Sequence, residues 1–181
     1  MATAAMLFDH QLSENLTYQR TAVDQGEWWR LFSAHFFHTN VFHYLLNTIA
    51  VVLLWGLHGH VYTSTSYLIT FFLSGLCGSL GVHFWMPDLE QYVGLSGALH
   101  GIFVWGVVQE IKRGEKLSYL LMAGIVLKLL YEQTSDGSSS MADLINARIA
   151  VDAHLWGAFG GLLAGFIFPS KIRSHEENRD G

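Results

Sequence analysis

The sequence contains little cysteine and little charge, and each shortage excludes a class of protein. Cys77 is the single cysteine among the 181 residues, which excludes a disulfide framework and a cysteine metal cluster. Only 14% of the residues are charged, the formal net charge is −5 and no long basic run is present, so we expect no nucleic-acid partner. Residues 1–15 have neither a basic start nor a long apolar core, so we expect no cleavable signal peptide.

Apolar residues are abundant instead, and they are gathered into long runs. Hydrophobic residues make up 51% of the chain, and the mean hydropathy of +0.29 is unusual for a soluble domain. A helix needs about 20 residues to span a bilayer, and a helix that is apolar nearly all round is typical of such a span. We therefore predict an all-α membrane protein with five spans, at approximately 41–57, 66–85, 96–111, 117–131 and 150–168.

The charges in the short loops predict the orientation of this bundle. Loop 112–116 carries three basic residues, whereas loop 86–94 carries two acidic residues and no basic one. Basic loops remain on the cytoplasmic side. The chain then divides into an extracytoplasmic segment 1–40, a membrane domain 41–169 and a cytoplasmic tail 170–181. Because an outward-facing N-terminal segment without a signal is awkward to translocate, we also infer that a preceding helix is missing from this sequence.

Four polar side chains are predicted to lie at one depth, near the outer face of the membrane. His43 and Asn47 occupy the first turns of the first span, Ser96 opens the third span, and His154 lies about one turn into the fifth. Polar residues in membrane helices usually face the bundle interior and mark a functional site. Taken alone, Ser96 is explained by helix capping and His154 by packing. Their coincidence at one depth favours catalysis.

These side chains have the chemistry that acyl transfer requires. A serine hydroxyl becomes a good nucleophile when a neighbouring base takes its proton, and His154 is the histidine best placed to act on Ser96. His43 and Asn47 are four residues apart and share one face of a helix. With the backbone N–H of Ser96 they provide three donors for an oxyanion. The structural alternative for His43 and Asn47 is an interhelical hydrogen-bonding pair.

Glycines at intervals of four residues predict how the third and fifth spans pack. Gly97 and Gly101 repeat on the third span, and Gly157 and Gly161 repeat on the fifth. Small residues with this spacing allow two helix backbones to approach closely. If the two glycine faces meet, the serine and the histidine come together near the outer end of the contact.

The order of these motifs resembles that of the rhomboid intramembrane serine proteases. The matching residues lie between about 27 and 168 and are Trp29-Arg30, His38, His43-Tyr44-Leu45-Leu46-Asn47, Gly94-Leu95-Ser96-Gly97 and Ala153-His154-Leu155-Trp156-Gly157 with Gly161. The resemblance implies a rhomboid-like helix bundle, of whose usual six core helices the first is missing here. It implies a dyad of Ser96 and His154 without an acidic third member, and an oxyanion hole formed by His43, Asn47 and the Ser96 amide. It gives Trp29 and Arg30 a structural role, and we expect no metal or other cofactor.

Within that family the chain is most similar to the rhombosortases of bacteria, which use GlyGly-CTERM signals. The similarity lies in residues 94–101, 128–132 and 151–155. It implies transmembrane protein substrates whose C-terminal tails contain a glycine motif, a membrane helix and a basic end. It also implies a place in the bacterial inner membrane, with the active site toward the periplasm.

Two features of the sequence depart from the family pattern or add to it. Typical rhomboids carry a tyrosine four residues after the serine, and His100 stands there in this chain. An imidazole at this position can stack on His154 and can also titrate, so it can couple to the catalytic pair. Lys128 and Glu132 are four residues apart, and we interpret them as a structural ion pair.

Two other functions compete with proteolysis. His35, His38 and His43 are candidate ligands of a metal or haem protein, but no zinc-protease helix motif with two histidines flanking a glutamate is present in the sequence. A catalytically inactive rhomboid relative that binds transmembrane clients is the second alternative. Such relatives usually lack the serine or the histidine, and both are present here. Metal analysis tests the first alternative, and labelling by a serine-directed fluorophosphonate tests the second.

Overall fold

Five long helices make up the body of the protein. The computed structural model describes residues 10–134 and 140–168, and the predicted tail 170–181 lies outside them. The long helices are α4 (Val41–His58), α5 (Ser64–Trp85), α6 (Ser96–Lys112), α7 (Leu117–Gln133) and α9 (Val151–Ile167). Each predicted span coincides with one of these helices to within two residues at either end. The all-α architecture predicted from the apolar runs is therefore confirmed.

Shorter elements occupy the N-terminal part and the loops. They are α1 (His10–Leu16), β1 (Tyr18–Gln19), α2 (Arg20–Asp24), α3 (Arg30–Ser33), a 3₁₀ turn (Ala34–Phe36), β2 (Gln91–Tyr92) and α8 (Ser140–Ile145). β1 and β2 pair antiparallel, with Tyr18 opposite Tyr92. The segment ahead of α4, which the sequence alone assigned only as an extracytoplasmic loop region, is therefore folded from His10 onward and is tied to the α5–α6 loop.

The long helices differ in how fully they meet the requirements of a membrane span. α4 has 18 residues and α5 has 22, and both reach a mean hydropathy of 1.5, so each is long and apolar enough to cross a bilayer. α6, α7 and α9 have 17 residues each. On α7, Leu120 and Leu127 are 68% and 67% exposed. Apolar side chains exposed in such numbers are suited to contact with lipid rather than water.

Two arginines, the partly buried Arg20 and the buried Arg30, fasten the N-terminal segment. Nη1 of Arg20 donates to the carbonyl oxygen of His83 at 2.6 Å, and its Nη2 donates to that of Met86 at 2.6 Å. These carbonyls belong to the C-terminal end of α5, where cations and N–H donors are stabilising. Arg30 donates through Nη1 to the carbonyl oxygens of Glu14 and Thr17, each at 2.7 Å. Arg30 thus has the structural position that the family resemblance implies.

Helix α9 is the centre of the bundle and packs against both α5 and α6. A Cβ atom added at Gly157 would collide with the carbonyl oxygen of Gly97, and one added at Gly161 would collide with that of Gly101. On the other side of α9, a Cβ atom at Gly160 would lie 2.8 Å from the Cα atom of Ser74 on α5. The backbones of the three helices are therefore in direct contact, as small residues permit.

A buried polar cluster joins the helices at the opposite end of the bundle from Ser96. Nδ1 of His58, at the end of α4, lies 2.6 Å from Oε1 of Glu110 on α6. Ser118 on α7 donates to Oε2 of the same carboxylate at 2.7 Å. A buried carboxylate needs such partners because its desolvation is costly. The cluster ties α4 and α7 to α6 at the end where the basic loop 112–116 lies.

The glycine contact gives the first testable prediction. Changing Gly157 to Ala forces a methyl group into the carbonyl oxygen of Gly97, so we expect the free energy of unfolding to fall by about 1–3 kcal/mol. The measurement is unfolding by titration with SDS in mixed micelles.

The matched control is Gly124→Ala on α7, where an added Cβ meets no atom within 4 Å. We expect this variant to be as stable as the wild type, or up to about 1 kcal/mol more stable because alanine favours helix. Equal stability of the two variants would show that α6 and α9 are not in backbone contact.

Candidate active site

Ser96 is the first residue of α6, and the turn that leads to it depends on Gly94. Gly94 has a φ of 115°, in the region that favours glycine. A Cβ atom at this residue would lie 2.6 Å from Nε2 of His43, so a side chain is excluded by space as well. Its carbonyl oxygen accepts a hydrogen bond from Nδ1 of the buried His35 at 3.0 Å. Burial lowers the pKa of His35.

The serine and the histidine from the sequence analysis meet in the structure. Oγ of Ser96 lies 3.0 Å from Nε2 of His154, which is within hydrogen-bonding distance. His154 is in the first turn of α9 and its side chain is buried. In this arrangement the hydroxyl donates to the lone pair of Nε2. The contact has the geometry of a nucleophile beside its general base.

An acidic side chain lies on the other side of the same imidazole. Nδ1 of His154 lies 3.1 Å from Oε2 of Glu132. The family resemblance implies no acidic member beside the histidine, so the structure differs from that expectation. The reason is geometric: Glu132 lies in the last turn of α7, and that end of the helix faces the start of α9.

His100 and Lys128 complete the surroundings of His154. The His100 ring stacks on the His154 ring with centroids 4.1 Å apart and an angle of 17° between the planes. Nδ1 of His100 donates to the carbonyl oxygen of Ser96 at 2.7 Å. Nζ of Lys128 lies 2.8 Å from Nε2 of His100 and 2.7 Å from Oε1 of Glu132. The ion pair of Lys128 and Glu132 predicted from the sequence is confirmed.

The two further oxyanion candidates lie on α4, close to Gly94. Both are buried, and Nδ2 of Asn47 donates to the carbonyl oxygen of His43 at 3.1 Å. The backbone N–H of Thr39 donates to Nδ1 of His43 at 3.4 Å. The Thr39 hydroxyl oxygen lies 3.2 Å from the same nitrogen, and Nε2 is the ring nitrogen that faces Gly94.

His38 packs beside this group without joining it by a hydrogen bond. Its ring is perpendicular to that of His43, with the centroids 5.0 Å apart, and neither ring nitrogen has a partner in the structure. Burial lowers the pKa of His38 to about 4, so the ring is neutral at physiological pH. His38 therefore contacts His43 by ring packing alone.

The Ser96–His154 pair, its neighbours His100 and Lys128, and the histidines and asparagine near α4 open onto one cavity of about 1210 Å³. Ser96, His100 and His154 line it together with His43 and Asn47. Leucines of α4 continue the wall away from the polar groups, among them Leu46, Leu53, Leu54 and Leu57. The cavity therefore combines an apolar flank along α4 with the polar groups of the candidate site, as ligand sites commonly do.

The metal alternative has limited support in this geometry. Among the described residues, the groups of three whose ligand atoms lie within 4.8 Å of one another are His100 with Glu132 and His154, and His60 with Glu110 and Glu115. The trio His35, His38 and His43 is not such a group within residues 10–134 and 140–168. In the first group, the Lys128 ammonium already binds two of the three residues, and it repels a second cation there.

Sequence reasoning brought together most of this site but missed two parts of it. It placed Glu132 in an ion pair and not against His154, and it gave His35 no role in supporting Gly94. An ionisable residue in a membrane helix is itself a functional signal. The predicted depth of Glu132, at the outer end of its helix, matches that of His154 and could have indicated the contact.

The Ser96–His154 contact predicts selective reactivity. We expect a fluorophosphonate to phosphonylate Ser96 in native membranes, because His154 can take the proton of the hydroxyl. Ser96→Ala and His154→Ala should remain unlabelled when the probe is read by gel fluorescence. Ser64→Ala, which changes an exposed serine at the opposite end of the bundle, should label like the wild type. Equal labelling of the wild type and Ser96→Ala would contradict the assignment.

Comparison with known proteins places this chain in a family. The Rhomboid domain family matches residues 25–171. The chain is similar to "Putative rhomboid protease YdcA" of Bacillus subtilis (strain 168), with 27% identity over 158 residues, which cover 87% of this chain and 76% of that protein. It is also similar to RHOMBOID-like protein 7 of Arabidopsis thaliana, with 30% identity over 80% of this chain and 44% of that protein. Rhomboid protease GluP of Bacillus subtilis is 23% identical over 82% of this chain and 27% of that protein. The chain belongs to the rhomboid family of membrane proteins.

Proposed function

We propose that the protein is an intramembrane serine endopeptidase in which Ser96 is the nucleophile and His154 is the general base. The observation that carries the proposal is the 3.0 Å contact between Ser96 Oγ and His154 Nε2 at the wall of a large cavity. Rhomboid proteases among the similar proteins support the reaction class. The presence of both residues in contact favours an active protease over an inactive scaffold.

The residues supply each step of an acyl-transfer cycle. Ser96 Oγ attacks the carbonyl carbon of the substrate peptide while its proton passes to Nε2 of His154. The tetrahedral intermediate collapses, the C–N bond breaks, and His154 gives the proton to the leaving amine. A water molecule then attacks the acyl-enzyme, with His154 taking its proton, and the new carboxylic acid is released as Ser96 recovers its hydrogen.

Three donors are available for the oxyanion that forms in both steps. The backbone N–H of Ser96 lies at the N-terminus of α6, where N–H groups are unpaired and the helix dipole favours negative charge. His43 is the second donor when its ring hydrogen is on Nε2, the nitrogen that faces Gly94. Asn47 uses one amide hydrogen on the carbonyl oxygen of His43, and the second can reach into the cavity. Removal of one such donor typically lowers kcat about 10²- to 10³-fold.

We further propose that the site opens toward the periplasmic face of a bacterial inner membrane. Ser96 begins α6, and the basic loop 112–116 follows the other end of that helix. Basic loops remain in the cytoplasm, so the serine lies toward the opposite leaflet. In the same orientation α9 runs from the outer face inward, and the chain that follows it is cytoplasmic.

The proposed substrates are transmembrane proteins with GlyGly-CTERM-type C-terminal tails. Residues 94–101, 128–132 and 151–155 resemble the rhombosortases, which act on such tails. The apolar wall of the cavity, provided by leucines of α4, suits the membrane helix of a tail. The glycines that precede that helix offer an unhindered backbone to the nucleophile. Cleavage there separates an exported protein from its anchor.

Cleavage of a reporter that ends in a GlyGly-CTERM tail tests the substrate class. We expect membranes with the wild-type enzyme to convert the reporter to a shorter product on gels, and those with Ser96→Ala or His154→Ala to leave it intact. Both variants remove a group from the proton-transfer step, and each loss should exceed about 10³-fold.

A reporter in which the glycine pair is replaced by two leucines serves as the control for substrate recognition. It should remain uncut by the same wild-type membranes. Cleavage of the reporter by Ser96→Ala would contradict the mechanism. Failure of the wild type to cut a reporter while Ser96 still reacts with a fluorophosphonate would retain the protease and reject these tails as its substrates.

A further inference from the structure

We propose that Glu132 is a positioning residue for His154, so that the site is a Ser96–His154–Glu132 triad closed into a ring by Lys128 and His100. This inference rests on the proposed protease function and adds to it a residue that the family resemblance leaves out. Its basis is a continuous set of short contacts that begins and ends at Ser96.

The ring can be followed from atom to atom. Ser96 Oγ lies 3.0 Å from His154 Nε2, and His154 Nδ1 lies 3.1 Å from Glu132 Oε2. The other carboxylate oxygen of Glu132 accepts from Lys128 Nζ at 2.7 Å, and the same ammonium lies 2.8 Å from His100 Nε2. His100 Nδ1 returns to the carbonyl oxygen of Ser96 at 2.7 Å. Three helices contribute to the ring, because the residues lie on α6, α7 and α9.

Only one assignment of donors and acceptors satisfies every contact in the ring. An ammonium only donates, so His100 Nε2 accepts from Lys128, and His100 Nδ1 therefore carries the hydrogen that the Ser96 carbonyl receives. The Glu132 carboxylate only accepts, so His154 Nδ1 donates to it. His154 Nε2 then has a free lone pair directed at the serine hydroxyl. Both histidines are in the Nδ1–H form.

This tautomer is the one that catalysis needs. A histidine protonated at Nε2 cannot take the proton of Ser96, whereas one held in the Nδ1–H form can. The imidazolium that forms after proton transfer gains a carboxylate at 3.1 Å as its counter-charge. Glu132 touches neither the nucleophile nor the substrate, so its effect passes through His154.

Lys128 supports Glu132 from the side away from the histidine. The Glu132 side chain is 16% exposed and that of Lys128 is 44% exposed. A carboxylate withdrawn from water needs a compensating partner, and the ammonium supplies it. An ion pair alone, however, would be satisfied within α7. Glu132 also contacts His154 on α9, and this additional contact assigns it a role beyond that of pairing with Lys128.

The rate of phosphonylation of Ser96 by a fluorophosphonate tests the proposal without a known substrate. Glu132→Gln keeps the size of the side chain but can present N–H groups to His154 and favour the wrong tautomer. We expect its maximal labelling rate to fall about 10³-fold, with the concentration for half-maximal rate unchanged. Glu132→Asp retains the carboxylate at a shorter reach and should recover about tenfold of that loss. Glu115→Gln, an exposed acid in the basic loop at the opposite end of the bundle, is the matched control and should label like the wild type.

A charge-swapped variant separates positioning from ion pairing. Lys128→Glu combined with Glu132→Lys preserves an ion pair on α7 but places an ammonium next to His154. We expect it to be as slow as Glu132→Gln. Recovery of the wild-type labelling rate would overturn the proposal, since it would show that the ion pair alone is required.

The ¹⁵N chemical shifts of the His154 ring report its tautomer, and their signals are assigned by their loss in His154→Ala. A purely structural role of Glu132 would leave these shifts unchanged. In the wild type in detergent micelles, we expect Nδ1 protonated and Nε2 unprotonated, and in Glu132→Gln a shift toward the Nε2–H form. A wild-type His154 in the Nε2–H form would overturn the proposal, as would wild-type labelling by Glu132→Gln. If the wild type itself is not labelled at Ser96, the protease function fails and this inference fails with it. Labelling that depends on Ser96 and His154 but not on Glu132 rejects the inference alone.

Discussion

The direct contact between the backbones of α6 and α9 is the constraint on which the site depends. Gly157 and Gly161 leave no room for a side chain against the carbonyl groups of Gly97 and Gly101. Ser96 lies one residue before the first of these contacts on α6, and His154 lies three residues before it on α9. Helix pairs usually have interaxial distances of 8–10 Å, and glycine faces allow a closer approach, so the backbone contact of α6 and α9 sets the distance between Ser96 and His154. The close packing of α6 against α9 therefore brings together the two residues of the proposed catalytic pair.

A second requirement is that polar groups at the end of an apolar bundle satisfy one another. The ring through Ser96, His154, Glu132, Lys128 and His100 pairs each charged or polar group with a neighbour. Unsatisfied polar groups would be costly in this environment. In the proposed mechanism, the interactions that satisfy these polar groups also fix the tautomer of His154, so the same contacts serve stability and function.

The sequence predicted the helices and four of the groups at the site because these depend on local signals. Long apolar runs define the spans, and Ser96, His154, His43 and Asn47 stand out as polar residues within or beside them. The Glu132–His154 contact depends instead on how α7 faces α9, and helix periodicity does not set the rotation of one helix against another. The folded segment before α4 was also beyond prediction, since its helices are short and are held by Arg20 and Arg30, whose acceptors are mostly backbone carbonyls.

The most direct test of this account is the rate at which a fluorophosphonate labels Ser96 in Gly161→Ala, in protein shown to be folded. Gly161 lies seven residues beyond His154 and touches no group of the site, but a methyl group there meets the Gly101 carbonyl and separates α6 from α9. A displacement of about 1 Å can cost about 100-fold in rate. The account predicts a loss of that order in Gly161→Ala, with Gly124→Ala unchanged. Labelling of both variants at the wild-type rate would contradict the claim that the glycine contact sets the distance between Ser96 and His154.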